Sequence, residues 1–539
     1  MRLTGTPVCS CLTVARTPDS ERPACARSAP EDRVSASPAS TYFDDNKPKD
    51  DHMVRSLRGG ALSVAARGLN AGVQIGSVLF LARLLSPEDY GLVSMVTAFT
   101  GFAPVLVDLG TRDAIVQRTR ITRGEVSALF WITIAVGCGF ALIAAASAPV
   151  IARFYGEPRL TMIVIVSSLT FVACALSVQH YALMRRVLMF RELVTIETAA
   201  NVISAAVAVG AAMSGAGYWA LVVRALATPL FVSTGIWLRC RWLPGRPSMT
   251  AAVKEMIRFG LNVTGFCLTD FAGRSGDRVA IGYRSGPSGL GYYQNALFVY
   301  DNLLDVLVFP LHGVAVASLG KLRHDLNALR RAWGKALATL AFFAMPAFGL
   351  LAVTSQDVIV LLLGSKWASA GVLLSVLALR GIPHSIERTL GWLHVTAGRS
   401  DRWMKWGVFA TGAQFIALFC GLPYGPMGVA VAFVVAMFVL FVPAIAYAGR
   451  PFDIDAMDVV AIVWRPMLAS LAAAGLCFLL RRTLLGDVSA FSRIALLATV
   501  YGLSYLALVV GVMRVRAPLR TMQSLIRGYL PPRLAYLAN

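Results

Sequence analysis

From Val54 onward the sequence is a succession of apolar runs, each about twenty residues long, cut by short loops that hold most of the charge. The stretch LFWITIAVGCGFALIAAASAPVIA (129–152) has no charged residue at all. Covering the ~30 Å hydrocarbon core of a bilayer takes ~20 apolar residues as a helix. Fourteen stretches meet that need: 60–82, 91–111, 127–151, 161–184, 194–213, 217–238, 257–282, 290–318, 333–354, 369–395, 403–422, 426–448, 460–480 and 492–513. A soluble core stops growing near ~250–300 residues and cannot absorb so many. The composition agrees: 57% of residues are hydrophobic and 15% charged, against roughly 25% charged in soluble domains. The runs are continuous rather than alternating, which excludes a β-barrel. The expected fold class is an all-α, polytopic integral membrane protein.

Residues 1–54 have another character. They carry six prolines, scattered charges and no apolar core of the kind a signal peptide needs. Such a segment cannot offset its ordering entropy and reads as a disordered cytoplasmic tail. Met53, just before the membrane pattern, reads as an alternative start. The net charge of +21 admits a nucleic-acid partner or a topological origin. With the amino terminus inside, 36 of the 50 Lys and Arg fall on inside segments and eight on outside loops. Basic loops mark the cytoplasmic side, so both termini are expected there, and nucleic acid is excluded. The loop 481–493 fits this pattern poorly. Short outside loops argue against a membrane glycan polymerase or ligase. No P-loop, nucleophile elbow, dinucleotide fingerprint or metal-ligand spacing occurs in a fitting context. The expectation is a protein that is not an enzyme and uses no cofactor and no metal.

The two halves echo one another at an offset of about 201–210 residues. ARLLSPEDYGLVSMVTAF (82–99) matches YRSGPSGLGYYQNALFVY (283–300). RFYGEPRL (153–160) aligns with LLGSKWASA (362–370), MRRVLMFRELVTIE (184–197) with TAGRSDRWMKWG (396–407), and SGAGYWALV (214–222) with YGPMGVAVAF (424–433). Six spans per half keep the copies in the same orientation, related by an axis along the bilayer normal. Two six-helix lobes, 55–240 and 241–450, are expected, with pseudo-two-fold symmetry. Residues 451–539 add two extra helices and a basic cytoplasmic tail.

Charges inside the spans are the candidate site. A charge at the bilayer centre costs at least ~2.5–3.5 kcal/mol. The seventh span holds Asp270, Arg274, Asp277 and Arg278 at i, i+4, i+7 and i+8, on one helical face. Facing lipid, the four would cost on the order of 10–14 kcal/mol. They form either the wall of a hydrophilic cavity or a set of structural Asp–Arg pairs, and the glycines beside them favour the cavity. Asp301 and Asp305 in the eighth span either face the same cavity or neutralise its arginines. Arg67, with Asn70 and Gln74 on its face, favours a cavity position over snorkelling to the inner surface. Arg224 joins that cavity or pairs with Glu197. Arg380, Glu387 and Arg388, placed near a span end, read as interfacial anchors; His180, His312, His384 and His394 read as structural.

The stretch 82–118, then RFYGEPRL, LLGSKW and VFPLHGVAVASL, resembles the Wzx-type polysaccharide exporters. The resemblance covers about residues 55–450 and is nearest the colanic-acid, teichuronic-acid and succinoglycan branch of the multidrug/oligosaccharidyl-lipid/polysaccharide superfamily. It implies two lobes around a central cavity and a flippase moving an undecaprenyl-diphosphate-linked oligosaccharide across the cell inner membrane. It also implies a place beside membrane lipids and the polysaccharide polymerase and export machinery. Under it, Arg67, Arg274 and Arg278 are assigned to the diphosphate, while the acidic residues depart from a purely cationic cavity. A monomer is expected, since the repeat already supplies two lobes. The alternatives are a cation-coupled drug or metabolite antiporter of the same superfamily, a flippase for the peptidoglycan precursor and, least, a glycan polymerase or ligase.

Overall fold

The computed structural model describes residues 51–515 and 518, apart from 119, 323, 397–398 and 484–488. Met53 is the first methionine within that range; most of the amino-terminal tail and the carboxyl-terminal tail lie outside the described residues. Some helical side chains, those of Arg67, Asp270 and Arg274 among them, lie outside as well.

All regular structure among the described residues is helical. The first half comprises α1 (Asp51–Leu84), α2 (Pro87–Thr100), α3 (Ala103–Asp108), α4 (Thr111–Gln117), α5 (Arg123–Tyr155), α6 (Leu160–Ala175), α7 (Val178–Arg186), α8 (Phe190–Met213) and α9 (Trp219–Cys240). The second comprises α10 (Ala251–Lys321), α11 (Leu326–Leu363), α12 (Ala368–Thr396), α13 (Ser400–Gly421), α14 (Gly425–Gly449), α15 (Ala456–Thr483) and α16 (Ala490–Leu506). Each of the fourteen expected spans falls on helix. Eleven stretches among the described residues are long and apolar enough to cross a membrane, one of which, Asp401–Phe452, contains both α13 and α14. Large aliphatic and aromatic side chains stand exposed midway along them, such as Leu142 and Ile143 on α5 and Ile416 and Phe419 on α13. Water would not tolerate so much contiguous apolar surface; lipid does.

Local sequence explains the breaks. Ser86 caps α2 through a capping box with Asp89, and Pro87 opens the helix. The expected single span 91–111 is interrupted at Gly101 and Phe102, between α2 and α3, and again at Leu109 and Gly110, which both take left-handed backbone before α4. α10 runs as one long element but turns at Gly286, where φ of 68° suits glycine. That turn separates the seventh and eighth expected spans.

Helix pairing repeats along the chain: α5 packs on α6 and α8 on α9, then α11 on α12 and α13 on α14. The halves meet chiefly where α2 crosses the second arm of α10. The crossing is reciprocal. A methyl group on Gly91 would lie 1.7 Å from the Pro287 carbonyl oxygen, and one on Gly291 would lie 1.9 Å from that of Pro87. Pro87 with Gly91 and Pro287 with Gly291 are therefore equivalent pairs, within one residue of the register read from the repeat. At the same end, Arg83 of α1 donates to the carbonyls of Leu361 and Leu362 on α11. Lys366 returns a bond to the Arg83 carbonyl at 2.9 Å, and Trp367 one to Ala82 at 2.8 Å. Each helix end thus has its orphan carbonyls satisfied by the other's cation. At the opposite end Gly260 of α10 fits against Leu109 and Gly110, where a Cβ would lie 1.5 Å from the Leu109 carbonyl.

The last two helices lie against α11. Arg481 of α15 and Arg493 of α16 approach the buried Asp357 at 3.2 and 3.1 Å. Those two arginines belong to the segment 481–493 that fits the charge pattern poorly, and Asp357 offsets part of their charge.

Candidate substrate cavity

Both arms of α10, with α12, α13 and α14, enclose a cavity of about 480 Å³. The first arm contributes Gly273, Asp277 and Arg278, and the second Leu297 and Asp301. From α12 come Arg380, His384, Glu387, Arg388 and His394. The first four repeat the i, i+4, i+7, i+8 spacing of the seventh span and share one face of α12, turned toward the cavity. Trp403, Trp406, Thr411 and Gln414 of α13 form a third wall.

The expectation that Arg380, Glu387 and Arg388 are interfacial anchors is corrected by this placement. They sit well inside α12, not at its end, and line the cavity. The spacing they share with Asp270 through Arg278 was the signal, and proximity to a supposed span end obscured it. His384 and His394 line the cavity as well; His384 is bonded through Nδ1 to the Tyr300 hydroxyl at 2.7 Å. His180 is structural as expected, buried, bonded at 3.0 Å to the Trp242 carbonyl and stacked on Trp237. Of the remaining site expectations, Asp277, Arg278 and Asp301 come together here. Asp305 is exposed on α10 and Arg224 is half-buried on α9; neither lines this cavity. Among the described residues Arg224 forms no ion pair with Glu197, the partner considered for it. The side chains of Arg67, Asp270 and Arg274 lie outside the described residues.

Three guanidinium groups and three carboxylates therefore face one space, yet they are not clasped together. Among the described residues, Arg278, Arg380 and Arg388 form no ion pair within 4.0 Å. The Nε atoms of Arg278 and Arg380 are buried without a hydrogen-bond partner. Arg380 rests over the Phe433 ring at 5.5 Å. Asp277 accepts a bond from Tyr293 at 3.0 Å and one from the Arg278 backbone at 2.7 Å. A buried polar group without a partner costs about 1–3 kcal/mol, and more when charged. Arginines in this condition are ready for an oxyanion that offers several acceptors at once. The residues present offer no cluster of His, Cys, Asp and Glu able to hold a metal among those described.

A helical, multi-pass chain with a charged, ligand-sized hollow between its helices is a membrane transport protein by architecture. The fold matches the solved lipid II flippase MurJ in an inward closed conformation, with a TM-score of 0.70 and 14% identity over 84% of this chain and 99% of that one. It also matches an inward-facing multidrug-resistance MATE transporter of the MOP superfamily, with a TM-score of 0.53 and 14% identity over 71% of this chain and 94% of that one. Residues 80–371 match the polysaccharide biosynthesis protein family, and the chain belongs to that family. Among its relatives are the lipopolysaccharide biosynthesis protein WzxC of Escherichia coli (strain K12), 25% identical over 81% of this chain and 89% of that protein. The teichuronic acid biosynthesis protein TuaB of Bacillus subtilis (strain 168) is 25% identical over 66% of this chain and 74% of its own. The succinoglycan biosynthesis transport protein ExoT of Rhizobium meliloti (strain 1021) is 26% identical over 59% and 64%.

Proposed function

We propose that the chain is a flippase that moves an undecaprenyl-diphosphate-linked oligosaccharide from the inner to the outer leaflet of the cell inner membrane. The polymer it serves is an exopolysaccharide or lipopolysaccharide. The observation that carries the reading is the set of arginines, Arg278, Arg380 and Arg388, facing a common hollow without ion-pair partners among the described residues. Turnover near one per second requires a barrier of about 17 kcal/mol. Taking a single ion out of water has an idealised cost of order 20 kcal/mol, and a diphosphate carries more than one charge. Guanidinium groups held in a polar cleft replace the lost hydration while the prenyl chain stays in lipid.

In this reading the halves 55–240 and 241–450 act as two lobes that rock about the cleft, and residues 451–539 extend the second. Both termini are cytoplasmic, which places the α2–α10 crossing and the Arg83–Lys366 exchange at the outer end. The protein acts as a monomer and delivers its product to the polymerase and export machinery. The carboxylates Asp277, Asp301 and Glu387 in the same hollow favour a second reading, a cation-coupled antiporter for a small solute.

Deletion of the gene, followed by analysis of lipid-linked intermediates, tests the first reading. Single repeat units should accumulate on the cytoplasmic face. Repeat units found on the outer face would point to a polymerase, and an unchanged lipid pool with altered drug tolerance to the antiporter.

A further inference from the structure

The α13 wall of the cavity is uncharged and carries two indoles. Trp403, Trp406, Ala410, Thr411 and Gln414 follow one another at helical spacing and all line the hollow. The two rings are held differently. Trp406 is stacked on Tyr447, ring centroids 5.6 Å apart and 26° between planes. Tyr447 is itself held by Arg402, whose guanidinium lies 4.5 Å from its ring centroid and donates to its carbonyl at 2.7 Å. Trp406 therefore has a fixed orientation. Trp403 is 47% exposed. Its ring lies beside Gly391 of α12, 3.7 Å from where a Cβ would stand.

The carboxylates pose a chemical question that an anionic ligand alone does not answer. Glu387 and Asp301 repel a diphosphate, and their oxygens accept hydrogen bonds from hydroxyl donors. A ring with an apolar C–H face and a rim of hydroxyl donors satisfies the indoles and the carboxylates together. We propose that Trp403, oriented beside Trp406 and Glu387, is the platform for the first sugar of the lipid-linked substrate, next to the diphosphate on Arg278, Arg380 and Arg388. The inference rests on the flippase reading and adds a subsite to it. A hollow of about 480 Å³ is within the roughly 300–1,000 Å³ typical of a small-molecule site, room for the linker and its nearest sugar.

The test is direct binding to the purified full chain. The probes are undecaprenyl diphosphate without sugar and the same lipid bearing one glucose, one galactose or one N-acetylglucosamine. Wild type should bind at least one glycosylated lipid about tenfold more tightly than the bare lipid, the size of a good aromatic contact. Trp403→Ala should erase that increment, so that bare and glycosylated lipids bind alike, with a wild-type thermal midpoint showing that the variant is folded. Trp403→Phe should keep most of it. Arg278→Ala with Arg380→Ala should weaken all four lipids alike. Equal binding of bare and glycosylated lipids by wild type overturns the subsite, as does a Trp403→Ala loss shared by the bare lipid. Failure of the flippase reading looks different: none of the four lipids binds, or the arginine variants leave bare-lipid binding unchanged, and the subsite then falls with it.

Discussion

Asp357 is the residue on which the attachment of the final two helices turns. It is buried on α11 and meets one arginine from α15 and one from α16. Losing the carboxylate removes the shared counter-charge of two guanidinium groups that are only about a fifth exposed, and breaking such a pair costs about 3 kcal/mol. Asp357→Asn should lower the thermal midpoint of the detergent-solubilised protein by several degrees, and an unchanged midpoint would refute this account of the clasp. In the cavity, Arg278→Ala combined with Arg380→Ala should reduce polymer export at least tenfold with membrane abundance intact. Normal export from that variant would remove the arginines from the substrate site. Asp277, Arg278 and Asp301 were legible as cavity residues because charge in an apolar run has few other uses. Arg380, Glu387 and Arg388 carried the same spacing but were misread, since a charge near a presumed helix end has a cheap alternative at the interface.

Among elements, the α2–α10 crossing is the contact most sensitive to a single carbon atom. Neither Gly91 nor Gly291 has space for a side chain against the opposing carbonyl. Gly91→Val or Gly291→Val should destabilise by about 1–3 kcal/mol through overpacking, and by similar amounts given the reciprocal geometry. Thermal denaturation of the two variants measures this; a shift in one and none in the other would deny the equivalence. Each expected span lies on helix because hydrophobic length is a local property that one sequence records directly. The division of 91–111 into three helices was not legible. Leu109 and Gly110 leave helical geometry where Gly260 of α10 presses against them, and such a contact depends on residues far away in the chain.

For the whole molecule, the distribution of Lys and Arg makes a claim about sidedness that the loops can answer. Alkaline phosphatase fused after residue 156, 215 or 366 should be active outside the cell membrane, and fused after 188 or 325 it should be silent. The reverse pattern would invert the topology and with it the direction of transport. The basic excess on one set of loops was readable from sequence, whereas the depth and lining of the cavity were not. A hollow shared among the two arms of α10 and three further helices exists only once these have been arranged around it.

The modest size of that hollow has a consequence for what the carrier can discriminate. If the proposed grip is confined to the charged linker and the adjoining ring, the far end of the glycan goes unread, trailing in water on one side or the other. Strains that decorate or lengthen the outer sugars would then need no new carrier, whereas a change in the sugar nearest the lipid would demand one.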